Sequence, residues 1–121
     1  MEEKSHKRIK TQDYYHPSVL ILIERLEETK FSNICLCGFG DIMKWLSRIL
    51  NDKKYNIELT DTRKEFFNYE CGDKKVKDIR DINLTKDNLI IICSDDPFSI
   101  KKHISFISKN LPIEVPVIYD T

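Results

Sequence analysis

The chain has 121 residues, and its 20 lysine and arginine residues are matched by 20 aspartate and glutamate residues, so the formal net charge is zero. A chain of this length forms one domain with a real hydrophobic core and leaves no room for a second. Because no field of one sign surrounds such a chain, neither nucleic acid nor an anionic membrane is expected as a partner.

The sequence has no segment that resembles a membrane span or an export signal. Its longest apolar run, Val19–Ile23, has five residues, whereas a transmembrane helix needs about 18 or more, and the first residues lack a signal-peptide core. The four cysteines form no CxxC pair, so no metal site is expected. Cys35, Cys37 and Cys93 fall in apolar runs and are predicted to be buried thiols in a reducing compartment, the cytoplasm.

The first predicted element is a helix that follows a polar arm. Residues 1–16 carry several basic residues and little apolar content, which predicts a flexible N-terminal arm. From Pro17 onward, apolar residues recur at the spacing of one helix face, at Val19, Leu22, Ile23 and Leu26. Residues 17–121 are therefore predicted to form a single folded domain that begins with a surface helix.

Residues 33–61 have the pattern of a β-α-β unit. The apolar run Asn33–Cys37 predicts a covered strand that ends at Gly38-Phe39-Gly40. Asp41 then opens a helix with one apolar stripe, and residues 55–60 predict a second strand with Asp61 at its carboxyl end. Because such crossovers join parallel strands, this unit indicates a parallel sheet.

The middle of the chain is less regular. Residues 62–70 have mixed helical character, and they contain aromatic residues predicted to belong to the core or to a lid: Phe66, Phe67 and Tyr69. Cys71-Gly72-Asp73 predicts a turn, and residues 76–79 predict a short third strand.

The last part of the chain returns to regular alternation. Residues 89–93 predict a buried strand, Pro97 opens a helix capped by Asp96, and residues 115–119 predict a peripheral strand next to two prolines. The order of elements predicts an α/β fold: a Rossmann-like three-layer sandwich with a mostly parallel sheet of about five strands.

The glycine turn and the acid after the second strand together indicate a nucleoside site. A strand that runs through Gly38-Phe39-Gly40 into a helix presents unpaired backbone N–H groups to a ligand, and Asp61 can accept hydrogen bonds from both ribose hydroxyls of an adenosine. The plain alternative is that the glycines serve only a tight turn and Asp61 is a solvated strand end.

Two details bear on which adenosine cofactor is bound. Met43 occupies the place of the third glycine of the dinucleotide fingerprint, and Asp41 at the start of the helix would repel a pyrophosphate. A sulfonium nucleoside such as S-adenosylmethionine tolerates Asp41 better and is the preferred cofactor, with NAD as the alternative. Asp41 is equally explained as a first-turn acid that favours the helix dipole.

A second group of candidate residues follows the buried strand at 89–93. Asp95 and Asp96 are expected to line the mouth of the cofactor site, because ligands gather at the carboxyl ends of strands in open α/β sheets. Asp96-Pro97-Phe98 is similar in part to the Asn/Asp-Pro-Pro-aromatic motif of amine-directed methyltransferases. Asp96 is also explained as a helix cap.

No residue stands out as a catalytic group. Cys93 is not expected to act as a nucleophile, because no histidine is predicted beside it and burial raises the pKa of a thiol. His6, His16 and His103 are scattered through the chain and favour surface or cap roles.

The succession of these features resembles the small archaeal uncharacterised protein family 0146. The resemblance covers roughly residues 18–120 and includes the Gly-x-Gly turn, Leu59-Thr60-Asp61, residues 76–79, and the strand at 89–93 with the proline after it. It implies a trimmed, methyltransferase-type Rossmann fold in which Gly38, Gly40 and Asp61 form a nucleoside pocket. The sequence departs from the family's pattern at Leu36 and at Asp95-Asp96-Pro97.

A second resemblance is to the NAD(H)-binding regulatory domains of potassium transporters, which share the Cys-Gly-x-Gly turn and an acid after the second strand. The sequence therefore leaves three functions open. They are a methyltransferase-like protein that binds S-adenosylmethionine, a nicotinamide-binding sensor, and a non-catalytic interaction domain that uses its exposed aromatics. Because the chain ends after the fifth predicted strand, a partner or a second copy is a candidate for completing the substrate side.

Overall fold

The computed structural model of the protein describes residues 16–51, 53–111 and 114–120. The predicted N-terminal arm, residues 1–16, lies outside the described residues except for His16.

Three α-helices lie at the places that the sequence predicts. They are α1 (Pro17–Glu27), α2 (Asp41–Asn51) and α3 (Pro97–Asn110). Pro17 and Pro97 begin α1 and α3, where a missing N–H costs nothing, and the residue before each proline caps the helix with its side chain.

The strands form a five-stranded sheet and a separate hairpin. The strands are β1 (Asn33–Cys37), β2 (Asn56–Asp61), β3 (Glu70–Cys71), β4 (Lys74–Lys75), β5 (Lys77–Asp78), β6 (Asn88–Ile92) and β7 (Val117–Ile118). The large sheet has the order β5-β2-β1-β6-β7 with every pairing parallel, and β3 and β4 form the antiparallel hairpin. The two central pairings place β1, the strand that leads into the glycine loop, between β2 and β6.

The sheet is the middle of three layers. One face packs against α1 and α2 through residues such as Leu22, Leu36 and Leu46, and the other packs against α3 through residues such as Cys35 and Ile100. Alternate residues of β1 thus serve opposite cores, because successive side chains of a strand point to opposite faces. The predicted Rossmann-like three-layer fold is confirmed.

The middle segment differs from its prediction. Residues 62–70 form one 3-10 turn, Lys64–Phe66, and then lead into the β3-β4 hairpin instead of a helix. Asn68 has a φ of 72°, a left-handed conformation that a helix does not contain, and its N–H donates to the carbonyl of Val76. The predicted turn at residues 71–73 is confirmed, with Gly72 also at a positive φ.

Candidate functional site

A pocket of about 280 Å³ lies where the carboxyl ends of β1, β2 and β6 meet the start of α2. This is the position at which ligands bind in open α/β sheets. Its lining comprises the loop after β1 (Phe39, Gly40), the start of α2 (Asp41, Ile42), Arg63, the residues after β6 (Cys93, Ser94, Asp95), two residues of α3 (Ser99, His103) and His16. We call it the glycine-loop pocket.

Gly38 has a structural role behind this pocket. Its φ is +115°, and an added Cβ would lie 3.3 Å from Nε2 of His103 and 3.4 Å from the carbonyl oxygen of Cys93. Its N–H donates to the carbonyl of Thr60 at 3.0 Å. The prediction that the backbone of Gly38 faces a ligand is therefore wrong for its N–H group, because this group already donates a hydrogen bond to β2.

Phe39 turns its backbone toward the acid at the end of β2. Its N–H donates to Oδ2 of Asp61 at 2.7 Å, so this donor is not available to a ligand either. Its ring packs against Phe66 and Tyr69, with ring centroids 5.7 and 5.2 Å away, and Lys44 lies over it at 5.2 Å. Phe39 still lines the pocket, but as a fixed wall.

The start of α2 is the part of this loop that can offer backbone N–H groups to a ligand. Gly40, Asp41 and Ile42 precede the first hydrogen bond of α2, which runs from the N–H of Lys44 to the carbonyl of Gly40, and their own N–H groups have no acceptor among the described residues. An added Cβ on Gly40 would meet nothing within 4 Å. The start of the helix therefore borders an open pocket with N–H groups that are free to donate hydrogen bonds. This is an arrangement that binds anions.

Asp61 lies beside the glycine loop, as predicted, but it is fully buried. Its Oδ1 accepts from the N–H and Nε of Arg63, and its Oδ2 accepts from the Phe39 N–H and from Nη2 of Arg63. Burial by itself would raise the pKa of the Asp61 carboxyl, but the bonds from Arg63 and Phe39 outweigh it and hold the pKa below its usual value. The expectation that this carboxylate stands open to a ribose is therefore wrong for this structure.

Arg63 is the group that the sequence analysis missed. Its guanidinium lies over the ring of Phe66 at 4.2 Å, pairs with Asp61 at 2.8 Å, and leaves 38 % of its side chain exposed at the pocket. Its hydrogen bond to Asp61 raises the already high pKa of Arg63, so the charge is permanent. The available signal was an arginine two residues after the strand-end acid, a spacing that lets one side chain fold back on the other.

Asp95 and Asp96 have separate roles. Asp95 lines the pocket and its Oδ2 is 3.0 Å from Nε2 of His16, whose Nδ1 accepts the N–H of Ser18 at the start of α1. Asp96 accepts from the N–H of Phe98 and from the hydroxyl of Ser99. Asp96 is thus the cap of α3 and does not border the pocket, unlike the sequence expectation that paired it with Asp95.

His103 is buried behind the glycine loop and is neither a surface residue nor a cap, so that expectation is wrong. Its Nδ1 lies 2.8 Å from the hydroxyl of Thr62, and Cys37 is a further neighbour. Burial lowers the pKa of His103, partly offset by the nearby Asp61 carboxylate. The position was readable from spacing, because residue 103 falls between Ile100 and Ile107 on the buried face of α3.

Cys35, Cys37 and Cys93 are buried thiols, as predicted. Cys71, which the prediction did not cover, is buried as well, and none of the four is bridged. Burial raises the pKa of Cys35 to about 12 and raises the pKa values of Cys37 and Cys93 as well. Because the thiolate is the reactive form, burial disfavours nucleophilic attack by Cys93, which lies in the pocket wall.

Two features are absent from the described part of the chain. Residues 16–51, 53–111 and 114–120 contain no group of three or more His, Cys, Asp or Glu side chains placed to hold a metal ion. Within the same ranges, none of the helices combines the length and the apolar character needed to cross a membrane.

No protein-family profile matches the chain, and no curated protein sequence matches it significantly. Solved structures do match. The chain is similar to the crystal structure of RSP, a Rex-family repressor, with 17 % identity and a TM-score of 0.52. It is also similar to the crystal structure of RSP in complex with beta-NADH, with 17 % identity and a TM-score of 0.53.

These likenesses concern the fold. They cover 81 % of this chain but only 56 % and 57 % of the two matched chains, so the protein spans just over half the length of those structures. At this level of identity the comparison establishes the class of fold, an open α/β Rossmann-like domain, in agreement with the sheet order and the three layers.

Proposed function

We propose that the protein is a Rossmann-type domain that binds an adenosine-containing nucleotide in the glycine-loop pocket, with a nicotinamide dinucleotide as the preferred class. One observation carries the proposal. The N–H groups of Gly40, Asp41 and Ile42, which have no acceptor among the described residues, border the same pocket as the Arg63 guanidinium. Backbone donors at a helix start and a fixed guanidinium are the groups that bind phosphates. The fold likeness to a repressor solved in complex with beta-NADH supports the same class.

The size of the pocket limits how the ligand is held. Its volume of about 280 Å³ is just below the usual range of small-molecule sites, roughly 300–1,000 Å³. A dinucleotide would place its pyrophosphate in the pocket and extend over the open carboxyl edge of the sheet on either side. The sequence favoured S-adenosylmethionine because Asp41 would repel a phosphate. This ligand becomes the second candidate here, because the pocket also contains hydrogen-bond donors that attract anions.

S-adenosylmethionine remains the second candidate on the strength of two carboxylates. Asp41 and Asp95 both line the pocket, and a positive sulfonium is attracted by such groups. This candidate corresponds to the resemblance to archaeal family 0146 and to a trimmed methyltransferase-like protein. An interaction domain that uses the exposed Tyr69 is the remaining alternative.

A thermal-shift panel tests the proposal. The purified chain is melted with NAD, NADH, NADP, NADPH, S-adenosylmethionine, S-adenosylhomocysteine and ATP. A ligand present at 100 times its dissociation constant adds about 2.7 kcal/mol, which raises the midpoint of a domain of this size by several degrees. We expect that shift from at least one nicotinamide dinucleotide. A shift with S-adenosylmethionine alone would favour the second candidate, and no shift with any ligand would overturn both.

The variant Asp41→Asn separates the two candidates by the sign of its effect. Removing an exposed carboxylate about 5 Å from a phosphate should strengthen dinucleotide binding by roughly two- to fivefold, whereas it should weaken the binding of a sulfonium. The measurement is a calorimetric titration at low and moderate salt. Asp73→Asn, an equally exposed acid on the β3-β4 turn and outside the pocket, is the matched control.

A further inference from the structure

The Asp61 carboxylate has no capacity left for a ribose. A carboxylate offers about four lone-pair positions, and four donors already occupy the two oxygens of Asp61: the N–H of Phe39 and the N–H, Nε and Nη2 of Arg63. The side chain is also fully buried. A sugar hydroxyl would have to displace a charge-assisted bond to reach it, and such bonds are stronger than those between neutral groups.

The Arg63 guanidinium, in contrast, keeps part of its capacity. Of its five N–H donors, Nε donates to Asp61 at 2.9 Å, and Nη2 donates to Asp61 at 2.8 Å and to the carbonyl of Phe39 at 3.4 Å. Both N–H groups of Nη1 have no acceptor among the described residues. The guanidinium lies over Phe66, with its Cζ 4.2 Å from the ring centroid, and Arg63 lines the glycine-loop pocket, so the position of this side chain is set before any ligand arrives.

The same local arrangement occurs a second time, away from the pocket. Asp78 and Arg80, at the end of β5, repeat the Asp-x-Arg spacing: the N–H and Nε of Arg80 donate to Oδ1 of Asp78 at 2.9 and 3.1 Å. Arg80 lies over the ring of Phe106 at 5.6 Å and does not line the glycine-loop pocket. The second pair therefore offers a matched control in which the same chemistry is present but the site is not.

We propose that Arg63 selects a ribose that carries a phosphate, so that the preferred ligand is a 2′-phosphorylated dinucleotide, NADP or NADPH, instead of NAD or NADH. The inference rests on the proposed function, since it concerns the adenosine end of the same site. In Rossmann folds the end of the second strand meets the adenosine ribose, where an open acid accepts the 2′-hydroxyl and an arginine accommodates a 2′-phosphate. Here Arg63 occupies hydrogen-bonding positions of the buried Asp61 carboxylate. The Arg63 side chain is the group of this pair that remains exposed at the pocket.

The physical reason for the preference is the geometry of the guanidinium. Its planar fork matches phosphate oxygens with parallel hydrogen bonds, and it is more weakly hydrated than an ammonium group. Because Asp61 and Phe66 already hold the side chain in place, little conformational freedom is lost when the phosphate binds. A dinucleotide without the 2′-phosphate would meet no open carboxylate at its adenosine ribose. It would also have no phosphate on that ribose to pair with the guanidinium.

The experiment is a calorimetric titration of the full chain with NADPH and NADH, together with competition by 2′-AMP and 5′-AMP. We expect NADPH to bind at least about tenfold more tightly than NADH, and 2′-AMP to compete better than 5′-AMP. Arg63→Gln should reduce the affinity for NADPH at least about tenfold and reduce the affinity for NADH by a clearly smaller factor, because only NADPH carries the 2′-phosphate. Arg80→Gln should leave the ratio of the two affinities as it is in the wild type.

The outcomes separate this inference from the proposed function. Equal or tighter binding of NADH by the wild-type chain, or an unchanged NADPH preference in Arg63→Gln, overturns the role of Arg63 and leaves dinucleotide binding intact. Failure of every dinucleotide to bind overturns the proposed function itself. Should Arg63→Gln not fold, as judged by its melting curve, the wild-type affinity ratio and the 2′-AMP competition decide the question without it.

Discussion

Gly38 and Gly40 are two residues apart in one loop, yet the structure gives them different roles. Gly38 has a positive φ and lies against His103 and Cys93, whereas Gly40 faces open space at the pocket. The backbone conformation and close packing at the first position therefore favour glycine over any other residue. The second is required only if a ligand approaches the backbone closely.

Alanine substitutions separate these roles at the level of single residues. Gly38→Ala should lower the free energy of unfolding by about 1–3 kcal/mol, because a side chain is strained at this φ and its Cβ meets His103. Gly40→Ala should change stability by less than about 0.5 kcal/mol but weaken nucleotide binding, since its Cβ enters the pocket. Urea unfolding and calorimetric titration of both variants check this. Equal stability losses in the two variants would contradict the assignment.

At the scale of elements, the two neighbouring acids at the start of α3 have different roles. Asp96 caps the helix through the N–H of Phe98 and the hydroxyl of Ser99, while Asp95 pairs with His16 across the pocket mouth. The aromatic residue of the partial methyltransferase motif, Phe98, is 77 % exposed and does not line the pocket. The motif is thus accounted for by helix capping.

Replacing each acid tests this division. Asp96→Ala should lower the free energy of unfolding by about 1 kcal/mol, the usual cost of losing an N-cap, and leave nucleotide affinity unchanged. Asp95→Ala should alter nucleotide affinity with a smaller effect on stability, because it removes an exposed pair at the pocket. Denaturant unfolding and titration of the two variants side by side provide the measurement. A loss of nucleotide affinity in Asp96→Ala would contradict this division and indicate that Asp96 contributes to the binding site.

At the scale of the whole molecule, two buried titratable groups at the carboxyl edge link stability to pH. The folded state lowers the pKa of His103 below its ordinary 6.5, so the unfolded chain binds a proton first as the pH falls, and the stability contributed by neutral His103 is lost below about pH 6.5. The folded state also lowers the pKa of Asp61 below its ordinary 3.8, so its contribution persists at neutral pH and is lost only as the pH falls through and below that value.

The pH dependence above pH 5 should therefore depend on His103. We expect the wild-type chain to be less stable at pH 5.5 than at pH 7.5, and His103→Gln to show a smaller difference between the two, since the substitution removes the group that titrates differently in the folded and unfolded states. Urea unfolding at the two pH values measures it. Lys102→Gln, which changes an exposed neighbour on α3, is the control. The same slope in His103→Gln as in the wild type would contradict the assignment.

Several expectations about the whole molecule stay predictions. They are the cytoplasmic location, the resemblance to archaeal family 0146, and a second copy that completes the substrate side of the sheet. The short edge strand β7 leaves that end of the sheet unpaired among the described residues. Sedimentation of the purified chain with and without nucleotide would measure the oligomeric state directly.

The elements of the fold were predictable from the sequence wherever neighbours in the chain decide them. Apolar spacing predicted α1, α2 and α3, and apolar runs predicted β1 at its observed bounds and β2 and β6 within one residue. The caps at His16 and Asp96 follow from side chains that bond to N–H groups two residues away. The middle segment was not predictable in this way, because the left-handed Asn68 and the hairpin depend on pairing across a turn.

The sequence by itself therefore determined the class of fold, the glycine loop, and the placing of Asp61 beside that loop, because periodicity and short-range hydrogen bonding act between residues close in the chain. Only the tertiary structure decided what Asp61 does and where His103 lies. The Arg63 side chain folds back on Asp61 where Phe39 and Phe66 border it, and His103 reaches Thr62 across 41 residues of chain. Such contacts form between surfaces brought together by packing of the sheet and α3, so no local pattern specifies which donor satisfies which acceptor.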